Sequence, residues 1–255
     1  MELKSGKFRL TKDQLTEASV HLPNSPKIWT TFVVLVVPCT LFLLVAAGFA
    51  VYYGSQGAGP QQIVECTQAA ASWILVAVQL LLLGFVALLS WSGDEIDWSL
   101  PSSRRGGVEL AVGATCGIGL GVTYVFGLAP ALTWVQRSLG DYVPPGSVFP
   151  AVGQSLWPFF IADVLLAPFV EESIYRGWAT NRLLLRFGLL PTVLIVCGSF
   201  GLLHWAGGLW YVLLVGFVAG ELFISLRLLR NNLVAPFAAH FGLNVVEYLF
   251  VWLRH

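Results

Sequence analysis

The chain has 255 residues, 56% of them hydrophobic and 11% charged, with fourteen basic and fourteen acidic groups that cancel. Ordinary soluble domains run at about 45–50% apolar and about 25% charged residues, and a domain of this size cannot cover its surface with so few charges. This composition excludes a soluble globular domain, a disordered chain and a nucleic-acid partner, which would call for a basic excess; lipid is the expected solvent.

In chain order, a mostly polar leader over 1–27 comes first. It is too long a polar stretch ahead of the first apolar run for a signal peptide, no A-x-A cleavage site follows that run, and it reads as a cytosolic segment. A membrane span needs about 20 apolar residues. On that ruler seven segments qualify, near 28–53, 70–90, 108–134, 156–175, 190–207, 209–227 and 232–252. With seven spans and a cytosolic N-terminus, twelve of the fourteen basic residues fall on the cytosolic side and only Arg137 and Arg254 on the other. That asymmetry is what the positive-inside rule requires. The fold class expected is therefore all-α, a polytopic transmembrane helix bundle in the plasma (inner) membrane. The four cysteines form no CxxC and show no pairing pattern, so neither a disulfide framework nor a zinc finger is expected.

The composition shifts near residue 150. The three spans within 28–150 carry almost no ionisable groups, only Glu109 at an edge, and this region reads as a scaffold; 151–255 reads as a four-span region holding the chemistry. In the third span Gly113, Gly117 and Gly121 recur at every fourth residue, as helix-packing faces do in lipid. The Gly117–Gly121 run is no nucleotide fingerprint, because no strand–turn–helix unit surrounds it.

An ionisable residue at the centre of a span costs about 2.5–3.5 kcal/mol on insertion scales, so such residues are usually paired or functional. Three clusters stand out. In Glu171-Glu172-Ser173-Ile174-Tyr175-Arg176, Glu172 and Arg176 form an i,i+4 pair in the favourable order. One arginine holds only one of two adjacent carboxylates well, which leaves Glu171 suited to general acid/base work; the alternative is a charged helix end at the interface. The second cluster is Phe200 with His204. The third is His240 with Asn244, on one helix face, where an interhelical hydrogen bond is the plain alternative. Counted from a turn near Gly188, Glu171 and His204 lie at nearly equal depth, roughly 25 Å away at 1.5 Å per residue. Counted from a turn near Asn231, His240 and Asn244 join the same layer, expected to line a cavity open to the cytosol.

A carboxylate, two imidazoles and an amide around a dry cavity suit hydrolysis of an amide bond. Glu171, oriented by or sharing a proton with His204, would activate water; His240 and Asn244 would donate to the oxyanion. Alternatively, Glu171, His204 and His240 would hold a zinc ion with an open position. The residues do not choose between these readings.

Glu171-Glu172-x-x-x-Arg176, Phe200-x-x-x-His204 and His240-x-x-x-Asn244, in this order, resemble the three motifs of the membrane-embedded CPBP proteases. These include the Rce1-like type II CAAX prenyl endopeptidases and bacterial proteins tied to bacteriocin self-immunity. The resemblance covers about 157–247. It implies Glu171 and His204 as the water-activating pair, His240 and Asn244 as oxyanion stabilisers, and Glu172, Arg176 and Phe200 in support. It further implies an intramembrane endopeptidase that cuts near the C-terminus of a membrane-anchored or lipidated peptide. The family has been called metalloprotease, yet its members look like glutamate-dependent hydrolases, so no cofactor is favoured and zinc is the alternative. Glu221 matches no motif and reads as a supporting partner or a buried neutral acid; Asp163 and Glu247 read as packing or cavity-lining acids.

Other classes fare less well. HExxH is absent, Gly-Asp occurs only in expected loops, at Gly93-Asp94 and at Gly140-Asp141, and Ser199 lacks a rhomboid-type context. A non-proteolytic scaffold or immunity protein would use the polar layer for binding. A proton-coupled transporter would distribute its polar groups over two repeats, whereas here they crowd into one half.

Overall fold

In lipid every backbone polar group must be satisfied within the chain, which for this composition means helices. The computed structural model describes residues 28–92, 96–98, 100–148 and 155–254, and their regular structure is entirely helical. The leader expected over 1–27 lies outside the described residues. We number the helices α1 (Ile28–Ser55), α2 (Pro60–Ala69), α3 (Ala71–Trp91), α4 (103–139), α5 (156–187), α6 (Leu189–Leu203), α7 (Leu209–Arg230) and α8 (Val234–Trp252).

Five of these are long and apolar enough to cross a membrane: Thr31–Ser55 in α1, α3, Arg105–Leu139 in α4, α7 and α8. The two other expected segments are also helical. α5 carries the charged groups of the site, and α6 is shorter, because a 3-10 turn at Trp205–Gly207 and the positive φ of Gly208 end it early. α2 adds to the expected segments. It buries no residue and carries Gln61, Gln62, Glu65 and Gln68, the character of a surface helix. The turns expected near Gly188 and Asn231 are there: both residues have positive φ, 76° and 51°, which lets consecutive helices reverse within a few residues.

Close helix approach is set by small residues. A Cβ at Gly113 or Gly117 would fall on the Ala235 or Ala239 carbonyl of α8, and one at Gly121 on the Val246 side chain. Gly201 of α6 and Gly216 of α7 meet in the same way. The glycine face read from the sequence thus packs α4 along α8.

Polar contacts tie the two ends of the bundle differently. At one end Glu109 holds Arg230 through two bonds of 2.7 and 2.8 Å, and Asp97 accepts from Arg227 at 2.6 Å and from Asn181 at 2.5 Å. There the short segment 96–98 straps α5, the Asp97 N–H donating to the Gly177 carbonyl at 2.9 Å. At the other end Asp141 caps the start of α7 by accepting from the Leu209 N–H at 2.9 Å. Gln136 donates to the Gly207 carbonyl at 3.1 Å, and the Tyr142 hydroxyl donates to the Trp205 carbonyl. Burial works to raise the Asp141 carboxyl, but bonds from Leu209 N–H, Gln136, Tyr142 N–H and Trp210 N–H outweigh it and hold it below the usual carboxylate range.

Candidate active site

α5 is not a regular α-helix. It opens into wide π turns at Phe160–Leu166 and Ser173–Ala179, features that recur at functional sites. Proline has no N–H to give. In the wide register Ala167 N–H bonds Ala162 O, and Pro168, next in line, leaves the Asp163 carbonyl without a ladder partner. The Asn244 amide of α8 takes that position, donating at 2.7 Å. The second wide turn is braced by the Thr180 hydroxyl, which donates to the Tyr175 carbonyl at 2.8 Å.

Between the two turns lie Glu171 and Glu172, both buried. Glu172 Oε1 accepts from Arg176 at 3.1 Å and sits 2.9 Å from His240 Nδ1. Arg176, with no exposed surface, also donates to the Gly220 carbonyl at 3.0 Å and lies 4.4 Å above the Phe200 ring. Its charge is thus matched by one carboxylate, one carbonyl and an aromatic face. His240 stacks on Phe223 at 4.7 Å and meets the edge of Phe200, so the position of Nε2 is set from three sides.

Glu171 points elsewhere. Its Oε1 accepts from the Gln79 side chain of α3 at 2.7 Å, and Oε2, buried, has no hydrogen-bond partner. His204 follows the last residue of α6. Its own N–H turns to Gly201 O, and its ring Nδ1 takes up the Phe200 carbonyl at 2.9 Å. In the neutral ring that bond puts the proton on Nδ1 and leaves the lone pair on Nε2.

Glu171, His204, His240 and Asn244 lie on the wall of one cavity of about 360 Å³. Phe200, Gln79, Asp163 and Glu247 line it too, whereas Glu172 and Arg176 sit behind the wall. Three expectations need correction. Among the described residues, no three His, Cys, Asp or Glu side chains come together as a metal-ligand group, so Glu171, His204 and His240 do not form the alternative zinc set. The reason is orientation: His240 turns Nδ1 to Glu172, and Glu171 turns to Gln79. Glu171 and His204 share no direct hydrogen bond: Glu171 Oε1 is taken by Gln79 and its Oε2 has no partner. Glu221 is exposed and off the cavity wall, held by Ser225 at 3.2 Å and Cys197 at 3.8 Å.

Sequence reasoning missed Gln79. The signal was present: an amide inside the apolar run of α3 needs a partner for the same reason that His240 does.

The family model described as type II CAAX prenyl endopeptidase Rce1-like matches residues 153–246, which run from just before α5 into α8. That stretch holds all four expected site residues and leaves Gln79 outside. No curated protein and no solved structure matches the chain.

Proposed function

We propose that the protein is an intramembrane endopeptidase that hydrolyses a peptide bond in a membrane-anchored or lipidated substrate by means of a carboxylate-activated water. The observation that carries this reading is the free Oε2 of Glu171, a buried acceptor on the same cavity wall as two imidazoles and an amide. An unpaired carboxylate oxygen in a dry site is costly unless a water or a substrate group occupies it.

Glu171 Oε2 takes a proton from water while His204 Nε2 accepts its other hydrogen bond, and the hydroxide adds to the scissile carbonyl carbon. The oxyanion receives hydrogen bonds from the second amide hydrogen of Asn244 and from Nε2–H of a doubly protonated His240. Glu172, already bonded to Nδ1, balances the charge on that ring. On collapse of the tetrahedral species the C–N bond breaks, and Glu171 returns the proton to the leaving amine. Gln79 fixes which carboxylate oxygen faces the water. Arg176 and Phe200 hold Glu172 and His240 in place and touch no reacting atom.

The orientation proposed has seven crossings, α1 and α3 to α8, with the leader in the cytosol. It is supported by the basic residues: those of α5, α7 and the first turn of α4 gather at the end where Asp97 and Glu109 pair with Arg227 and Arg230.

The test is cleavage of prenylated and unmodified apolar peptides by the purified full-length protein in lipid, against Glu171→Gln. Loss of cleavage in the variant with its fold retained is expected. Equal activity in both would remove Glu171 from the mechanism.

A further inference from the structure

The cavity is strongly asymmetric along the bundle. Its floor is formed by Gln79, Leu120, Glu171, Phe200, Phe223 and His240. From that layer it runs to the end where Thr67 and Gln68 of α2, Val143, Pro144, Ser147, Val148 and the Trp205–Gly207 turn also line it. In the other direction it is closed. Ser173 to Ala179 are all buried, as are Leu183, Ile224 and Leu226. None of the described residues of the α5–α6 turn, the α7–α8 turn or the 96–98 strap lies on its wall. Counting α7 from Phe223 to Arg230, roughly 10 Å of packed side chains separates the floor from the arginine end.

The charges assign the two ends. Arg105, Arg182, Arg186, Arg227 and Arg230 belong to the closed end, and so does the start of α1, where Phe32 meets Phe187 with ring centroids 6.4 Å apart. The basic leader precedes that start. Arg137 and Arg254, near the last residues of α4 and α8, mark the open end. By the positive-inside rule the closed end is cytosolic. The cytosolic leader and the cytosol-facing cavity, both expected from the sequence, are therefore incompatible in this fold.

We propose that the cavity opens to the non-cytosolic face of the membrane, and that it receives there an internal apolar segment of an exported or membrane-inserted protein. The inference rests on the peptidase reading for the identity of the substrate, and on the fold alone for the side of entry. The wall chemistry selects the occupant. Phe42, Ile74, Leu75, Leu128 and Leu214 present apolar surface, while Asp163, Glu171 and Glu247 are the acids of the wall. Among the described lining residues there is no lysine or arginine, and the charge given to His240 is already paired with Glu172, while three acids face the cavity, so the interior of a peptide suits it better than a free C-terminal carboxylate.

The side of entry is read without any assay of cleavage. In a full-length background with Cys39, Cys66, Cys116 and Cys197 replaced by serine, Ser147→Cys and Thr67→Cys report the cavity, and Ser102→Cys reports the arginine end. A membrane-impermeant maleimide applied to intact cells is expected to label the first two and spare the third, with the reverse pattern in inverted vesicles. Labelling of the cavity positions from the cytosolic face, or from neither face until detergent is added, overturns the proposal. A second arm adds an impermeant quenched peptide, with an apolar interior and a blocked C-terminus, to right-side-out and to inverted vesicles. Glu171-dependent cleavage is expected several-fold faster in the former; faster cleavage in the latter overturns the proposal. If the labelling is as expected and no cleavage depends on Glu171 from either side, the side of entry stands and the peptidase reading fails.

Discussion

Adjacent carboxyl groups at positions 171 and 172 have unlike surroundings, and their substitution separates chemistry from stability. Glu172 is the shared partner of a buried guanidinium and a buried imidazole. Glu172→Ala leaves Arg176 without its carboxylate and is expected to destabilise the protein by about 3–5 kcal/mol, read as loss of the folded form on thermal unfolding in lipid or detergent. Glu171→Gln keeps the shape and an acceptor for Gln79. It is expected to leave the unfolding temperature nearly unchanged while lowering kcat/KM by roughly a hundredfold to ten-thousandfold, the range for a general base. Gln79→Leu frees Glu171 Oε1. Because Gln79 acts through Glu171, kcat is expected to fall by up to about a hundredfold with KM retained, which a merely structural role would not produce.

At the scale of elements, glycine spacing and proline placement decide how the helices meet. Gly117 faces the Ala239 backbone, while Gly119, two residues on, has nothing within 4 Å of the place a Cβ would take. Gly117→Val is therefore expected to force α4 from α8 and to destabilise by about 1–3 kcal/mol or more. Gly119→Ala is expected to be neutral or to stabilise by up to about 1 kcal/mol. The comparison of unfolding temperatures checks both. The cap on α7 carries a pH signature. The Asp141 carboxyl is held below its ordinary value, so its contribution is complete above the unfolded value of about 3.9 and is lost as pH falls through the lower folded value. Hydrogen exchange at the Leu209 and Trp210 amides is expected to stay slow through mild acid and to rise only below that range. Asp141→Asn should expose those amides at neutral pH as well.

For the whole molecule, the floor and wall of the cavity come from both halves of the chain. Residues 153–246 hold Glu171, His204, His240 and Asn244, yet Gln79, Phe42 and Leu120 lie on helices outside that stretch, and α8 packs along α4. A chain reduced to residues 151–255 is expected to lose both the folded state and cleavage. Co-expression with residues 1–150 is expected to restore them, as measured by co-purification and activity. Failure of the two parts to associate would mean that the α4–α8 glycine face contributes little.

That the chain carries helices long and apolar enough to cross a membrane, that the regular structure of its described residues is helical and where it turns were all legible in the sequence, because apolar run length, Gly188 and Asn231 are local signals. So were the polar residues that share one cavity, because an ionisable group in an apolar run is conspicuous wherever it lies. Which nitrogen of His204 or His240 is free was not legible, nor that Glu171 turns to α3, since these follow from which neighbour comes within hydrogen-bond reach. Counting residues from the turns placed these residues at a common depth, but the cytosolic, arginine end, where the opening was expected, is the end that the fold fills. That depends on packing in three dimensions, because the space beside Glu171 is whatever the described helices leave around it: solid from Ser173 to the arginine end, open toward Trp205.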